Sequence, residues 1–136
     1  MTSTTLPSTL DIDSEYELSE AQIQDFRRDG FIKLKNVLSP EVLEYYGKEI
    51  TAKVKELNTE DRPIEKRDTY AKAFLQIINI WRHSEIVKEF VLGKRLGRIA
   101  TQLLGTKGVK IYHDQALYKE PGGGFTPWHV DQHYWP

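Results

Sequence analysis

The spacing of apolar residues changes character along this chain, and the change bounds the fold. Up to Leu104 most of them recur at intervals of three and four, the repeat of a helix with one buried side. From Val109 they alternate, the repeat of a strand. Helices come first and strands arrive at the C-terminal end, which is an α+β order. The length, 136 residues, suits one domain and is too short for two ordinary ones. Residues 1–17 carry little periodic apolar content and are expected to be a mobile tail, with residues 18–136 forming the domain.

Helix boundaries are written plainly. Ser19 opens a first helix with Gln22 in capping-box position, Ile23 and Phe26 on its apolar side and Gly30 at its end. Phe31–Lys35 is a short alternating run that predicts a strand. Ser39-Pro40-Glu41 starts a long amphipathic helix with Val42, Leu43, Tyr46, Ile50, Val54 and Leu57 inward. Residues 58–69 are charged and predict a solvated loop. Residues 71–81 are apolar-rich, and the run is too short for periodicity to separate strand from buried helix. Ser84-Glu85 begins a further helix ending at Gly93. Lys94–Leu104 is the last, with Leu96, Ile99, Ala100, Leu103 and Leu104 inward and Gly105 as its stop.

Val109–Lys119 then predicts a long strand. Val109, Ile111, His113, Gln115, Leu117 and Lys119 share one face; Lys110, Tyr112, Asp114, Ala116 and Tyr118 share the other. Pro121-Gly122-Gly123-Gly124 predicts a flexible loop. It lacks the Lys-Ser/Thr of a phosphate-binding loop. A final strand over Phe125–Trp135 delivers His129 and Asp131, two residues apart and so on one face. An imidazole nitrogen and a carboxylate oxygen on one rigid run can reach a single cation. They are two members of the two-histidine-one-carboxylate set that holds non-haem Fe(II). The competing readings are a structural His–Asp hydrogen bond and, with His133, a zinc site.

Composition narrows the classes. The net charge is −1, so no basic excess is available for a phosphate backbone, and no nucleic-acid partner is expected. There is no cysteine, hence no disulfide, thiolate metal site or cysteine nucleophile. No apolar run approaches a membrane span and no secretory signal opens the chain, so a cytoplasmic location without membrane contact is expected.

The run from Tyr112 to Gly122, the glycine loop and Trp128-His129-Val130-Asp131-Gln132-His133-Tyr134-Trp135 together resemble the phytanoyl-CoA dioxygenase family. Leu18–Ile32 and Val37-Leu38-Ser39 are similar to that family's opening helix and strand. The resemblance implies a double-stranded β-helix (jelly-roll) core, with these helices buttressing its first strands. It also implies an Fe(II)- and 2-oxoglutarate-dependent dioxygenase that hydroxylates a small organic substrate and converts 2-oxoglutarate and O2 to succinate and CO2. By the same resemblance, His129 and Asp131 correspond to the first two iron ligands. Gln115 and, more distantly, Gln76 correspond to contacts with 2-oxoglutarate. His113 shares the face of Gln115, which makes it a candidate for the substrate pocket, with a satisfied core or surface histidine as the alternative. Trp128, Tyr134 and Trp135 are expected in the core or in the pocket wall, and core is the safer expectation because large aromatics bury first.

The family's distal histidine and its 2-oxoglutarate-anchoring arginine have no match in the five residues after Asp131. The expectation is therefore the N-terminal, truncated portion of an oxygenase, inactive as it stands. The alternative is a non-catalytic remnant or interaction module that self-associates, or binds a completing chain, through an open sheet edge.

Overall fold

The computed structural model describes residues 10–133. Five helices, two short strands and three 3-10 turns follow one another: α1 (Glu20–Asp29), α2 (Pro40–Leu57), a 3-10 turn at Ile64–Lys66, α3 (Thr69–Ala73), β1 (Leu75–Ile78), a 3-10 turn at Ile80–Arg82, α4 (Glu85–Val91), α5 (Lys94–Leu104), β2 (Gln115–Tyr118) and a 3-10 turn at Asp131–His133. The chain is α+β, mostly helical, with one two-stranded antiparallel sheet among the described residues. No helix among them is long and apolar enough to cross a membrane.

The helix boundaries fall where local chemistry puts them. Ser19 and Gln22 form a reciprocal capping box, and Gly30 ends α1 in the left-handed conformation at φ 79°. Ser39 caps α2, with Pro40 in its first turn, and Ser84 caps α4. The cap residue of α5 is Gly93, which has no side chain to offer. Asp13 supplies the missing acceptor from far away in sequence, taking the Lys94 N–H at 2.8 Å.

That contact belongs to a strap. Leu10 and Ile12 are buried beside Val42 and Tyr46 of α2, so the described part of the expected tail is packed into the core. Arg95 holds the strap with its whole guanidinium. It donates to the carbonyls of Ser14 and Val37, both at 2.9 Å, and to the Asp11 carboxylate at 2.6 Å. Periodicity could not show this, because two apolar residues in a polar stretch have no repeat. Residues 1–9 of that tail lie outside the described residues.

α2 is the spine. Near its start Val42 and Tyr46 meet Leu10, Ile12 and Phe90. Near its end Val54 meets Ile80, Val87 and the inner face of the sheet. Ile50 touches both groups. Polar bonds pin the same helix at both flanks: Ser84 donates to Glu49 at 2.7 Å, and the Thr51 and Tyr118 hydroxyls are 2.7 Å apart. Leu43, Leu96 and Leu104 were expected inward and are exposed instead. Leu43 and Leu96 lie in the first turns of α2 and α5, and Leu104 is the last residue of α5.

The strands depart most from expectation. Phe31–Lys35 forms no strand, although Ile32 and Leu34 still turn inward. No ladder partner lies beside it among the described residues, and Asn36 breaks the extended path at φ 56°. Of the strand expected over Val109–Lys119, only Gln115–Tyr118 is laddered. Its partner β1 is four residues long, registered Leu75↔Tyr118, Gln76↔Leu117, Ile77↔Ala116 and Ile78↔Gln115. β1 stops because Asn79 turns left-handed, at φ 60°, into the 3-10 turn. The run 71–81, ambiguous in sequence, thus divides into a helix turn, a strand and a 3-10 turn. No jelly roll is assembled among the described residues.

Two measurements test this packing. Ile80→Ala empties a buried site shared by α2, α4 and the sheet, so urea denaturation is expected to show a loss of about 2–5 kcal/mol with an unchanged slope. The second concerns acid. The Ser14 hydroxyl, then the Ser14 and Asp13 amides, hold the Asp11 carboxyl well below its ordinary value of 3.8, with Arg95 adding to the effect. A carboxyl depressed by folding stabilises fully above its unfolded value. That stabilisation fades as pH falls through 3.8 toward the folded value. The acid limb of the wild-type stability profile is therefore expected to be steeper than that of Asp11→Asn.

Candidate metal centre

The sheet has two different faces, and the register assigns every residue to one of them. Leu75, Ile77, Ala116 and Tyr118 point toward α2 and are partly buried. Gln76, Ile78, Gln115 and Leu117 point the other way and are exposed. Gln76 and Gln115 thus come together on one open face, diagonal across the ladder, with Leu117 and Ile78 completing the square. His113 continues the same face, its Nε2 3.4 Å from Gln115 Oε1. Its ring also meets Tyr112 edge-on, at 5.2 Å between centroids.

The residue that selects this face is Asp114, to which sequence reasoning gave no role. Its carboxylate accepts the backbone N–H groups of Ile80 at 3.0 Å and Trp81 at 3.3 Å, and its carbonyl accepts that of Asn79 at 2.9 Å. One aspartate satisfies the start of the 3-10 turn that β1 runs into. With Asp114 drawn inward, the pleat sends His113 and Gln115 outward. A polar residue at an inward strand position was the available signal.

After β2 the chain passes through the glycine loop and runs without a ladder to Asp131. The expected strand at His129 is absent, because no neighbouring strand pairs with it among the described residues; a 3-10 turn over Asp131–His133 follows instead. His129 and Asp131 nevertheless meet. His129 Nε2 lies 3.4 Å from Asp131 Oδ1, and His129 Nδ1 is bonded to the Pro127 carbonyl at 2.8 Å. Both side chains are open to solvent, at 56% and 71% exposure. Trp128, for which a core position was the safer expectation, is fully exposed. Tyr134 and Trp135 lie outside the described residues.

This pair suits two adjacent positions around one cation. A carbonyl can only accept, so Nδ1 carries a proton; in the neutral ring Nε2 then holds the lone pair that a metal needs. Two donors each about 2.1 Å from an ion, at a right angle, lie about 3 Å apart, close to the observed separation. Among the described residues no three histidine, aspartate or glutamate side chains come together, so His133 does not join the pair.

A family model, phytanoyl-CoA dioxygenase (PhyH), matches residues 26–136. The chain belongs to the phytanoyl-CoA dioxygenase family. No curated protein and no solved structure matches it. Membership carries kinship with the Fe(II)- and 2-oxoglutarate-dependent dioxygenases, whose fold is the double-stranded β-helix. In this member the matched stretch runs from the second half of α1 through the His129–Asp131 run, and it contains the open sheet face with Gln76, His113 and Gln115.

Asp114→Ala strips the acceptors from two backbone N–H groups. It is expected to cost about 1–3 kcal/mol in chemical denaturation, and Asp114→Asn, which keeps one acceptor oxygen, less.

Proposed function

We propose that this chain carries two ligands of an iron(II) centre belonging to a 2-oxoglutarate-dependent oxygenase, namely His129 through Nε2 and Asp131 through its carboxylate. The observation that carries the reading is the approach of His129 Nε2 to 3.4 Å from Asp131 Oδ1, with Nδ1 engaged by the Pro127 carbonyl so that Nε2 is the ring nitrogen left for a metal. Bound iron would supply the activation of O2, coupled to 2-oxoglutarate breakdown, that hydroxylation of a small organic molecule requires. The protein's part is to hold and orient. Gln115 and Gln76 offer amide donors to the carboxylates of 2-oxoglutarate from one face, and His113 extends that row. Leu117 and Ile78 supply apolar ground for a substrate's carbon skeleton, and Trp128 supplies an exposed aromatic face.

Two ligands, with no charged anchor for the cosubstrate beside them among the described residues, make a weak site. Metal binding without turnover of 2-oxoglutarate is therefore the expectation for the chain assayed alone. The test is titration with Co(II), followed by calorimetry and by the visible absorption of the bound ion. His129→Ala and Asp131→Ala should each lower affinity by about tenfold or more, with the circular dichroism spectrum unchanged. Equal affinity in both variants and the wild type would sink the assignment.

A second reading draws on the sheet itself. Each strand is paired on one edge only among the described residues, and Ile78 and Leu117 are 42% and 48% exposed on its face. Association through that edge would complete the sheet. Light scattering separates the readings, since a monomer at all concentrations excludes self-association.

A further inference from the structure

Lys119 sits at the joint between β2 and the run that carries His129 and Asp131, and its charge is turned to the protein's own backbone. Its ammonium donates to the Ala73 carbonyl at 2.9 Å and to the Gly124 carbonyl. It also stands over the Phe74 ring, 4.9 Å from the centroid, a favourable placing for a cation. Ala73 is the last residue of α3, so its carbonyl has no further turn of helix to bond.

The loop answers from its own side. Gly124 N–H donates to the Lys72 carbonyl at 2.8 Å and Gly123 N–H to the Glu120 carbonyl at 3.0 Å. Glu120 in turn pairs with Arg67, whose side chain is only 10% exposed. A Cβ on Gly123 would stand 2.9 Å from the Glu120 and Lys72 carbonyl oxygens, so this close approach requires glycine. The expected flexible loop is therefore pinned. Two of the N–H groups that an anion-binding loop would present are already spent on carbonyls.

We propose that Lys119 is a positioning residue for the His129–Asp131 pair. By joining the carbonyls of Ala73 and Gly124, it fixes the point from which the chain leaves the sheet on its way to His129. An ammonium suits the task because it can point two of its three N–H groups at separate acceptors while keeping its charge over the Phe74 ring. The consequence for metal binding rests on the ligand reading above; the clasp does not.

The experiment compares wild type, Lys119→Met, which fills the volume without donating, and Lys119→Arg, which restores the donors. Amide hydrogen exchange and 15N relaxation are read across the chain. In Lys119→Met, exchange at Gly124 should accelerate by about tenfold or more, and the order parameters of Thr126, Trp128, His129 and Val130 should fall. Amides of α4 and α5 should keep their wild-type values. Co(II) affinity should fall with the order parameters, and Lys119→Arg should recover both.

Wild-type exchange at Gly124 with wild-type order through Val130 would overturn the proposal. Loosened order with unchanged Co(II) affinity would overturn the positioning role and leave Lys119 a structural clasp. If the wild type binds no Co(II), the ligand reading fails, and the order parameters alone decide the clasp. Gly123→Ala opens the same joint from the loop side. Should Lys119→Met not fold, wild-type order from Thr126 to Val130 in Gly123→Ala would overturn the proposal equally.

Discussion

The packing of the inner sheet face on the second half of α2 holds in place the end of this molecule that carries His129 and Asp131. A two-stranded ribbon of four residues a side is marginal by itself. Here Leu75, Ile77, Ala116 and Tyr118 close over Val54, Ile80 and Val87, and Thr51 reaches the Tyr118 hydroxyl. The contact orients β2, and β2 aims everything after it. Removing apolar area at this junction would loosen the open face, the glycine loop and the His129–Asp131 run together, because each is anchored through the one before.

Polar groups refine what apolar burial begins. Asp114 terminates β1 by satisfying the 3-10 turn and decides which side of β2 is presented to solvent. Lys119 ties the glycine loop to the last residue of α3, and the Arg67–Glu120 pair joins the chain just before the loop to the segment just before that helix. Arg95 does the same for the strap at the other end of the chain. Asp114, Lys119 and Arg95 each bond main-chain groups that the secondary structure leaves over. Sites assembled from loops need such ties, since a loop has few ladder bonds of its own.

Much of this was legible in the residues. Ser19 with Gln22, Ser39 with Pro40, Ser84, Gly30 and Gly105 mark helix ends through bonds made within four residues, so no tertiary knowledge is required to read them. The spacing of His129 and Asp131 pointed to a shared cation, and the two side chains do meet, although at the start of a 3-10 turn and not along a strand. The strands were harder to read. Alternation over Val109–Lys119 signals a side to bury, but a ladder needs a partner of equal length, and β1 ends at Asn79. Phe31–Lys35 alternates as well and has no partner beside it among the described residues.

The sequence by itself determined the starts of α1, α2 and α4, the α+β order, the family and the choice of the two candidate ligands, because caps, apolar repeats and short motifs act over a few residues. Only the tertiary structure decided that Leu10 and Ile12 are core and that Asp114 faces inward. The gathering of Gln76, His113 and Gln115 on one side of the sheet, and the capture of two carbonyls by Lys119, were decided there too. These depend on groups tens of residues apart meeting at bonding distance, and no local pattern encodes such a meeting. The glycine loop shows the division most clearly: Gly122-Gly123-Gly124 permits many paths, and the Lys72 and Glu120 carbonyls select the one it takes.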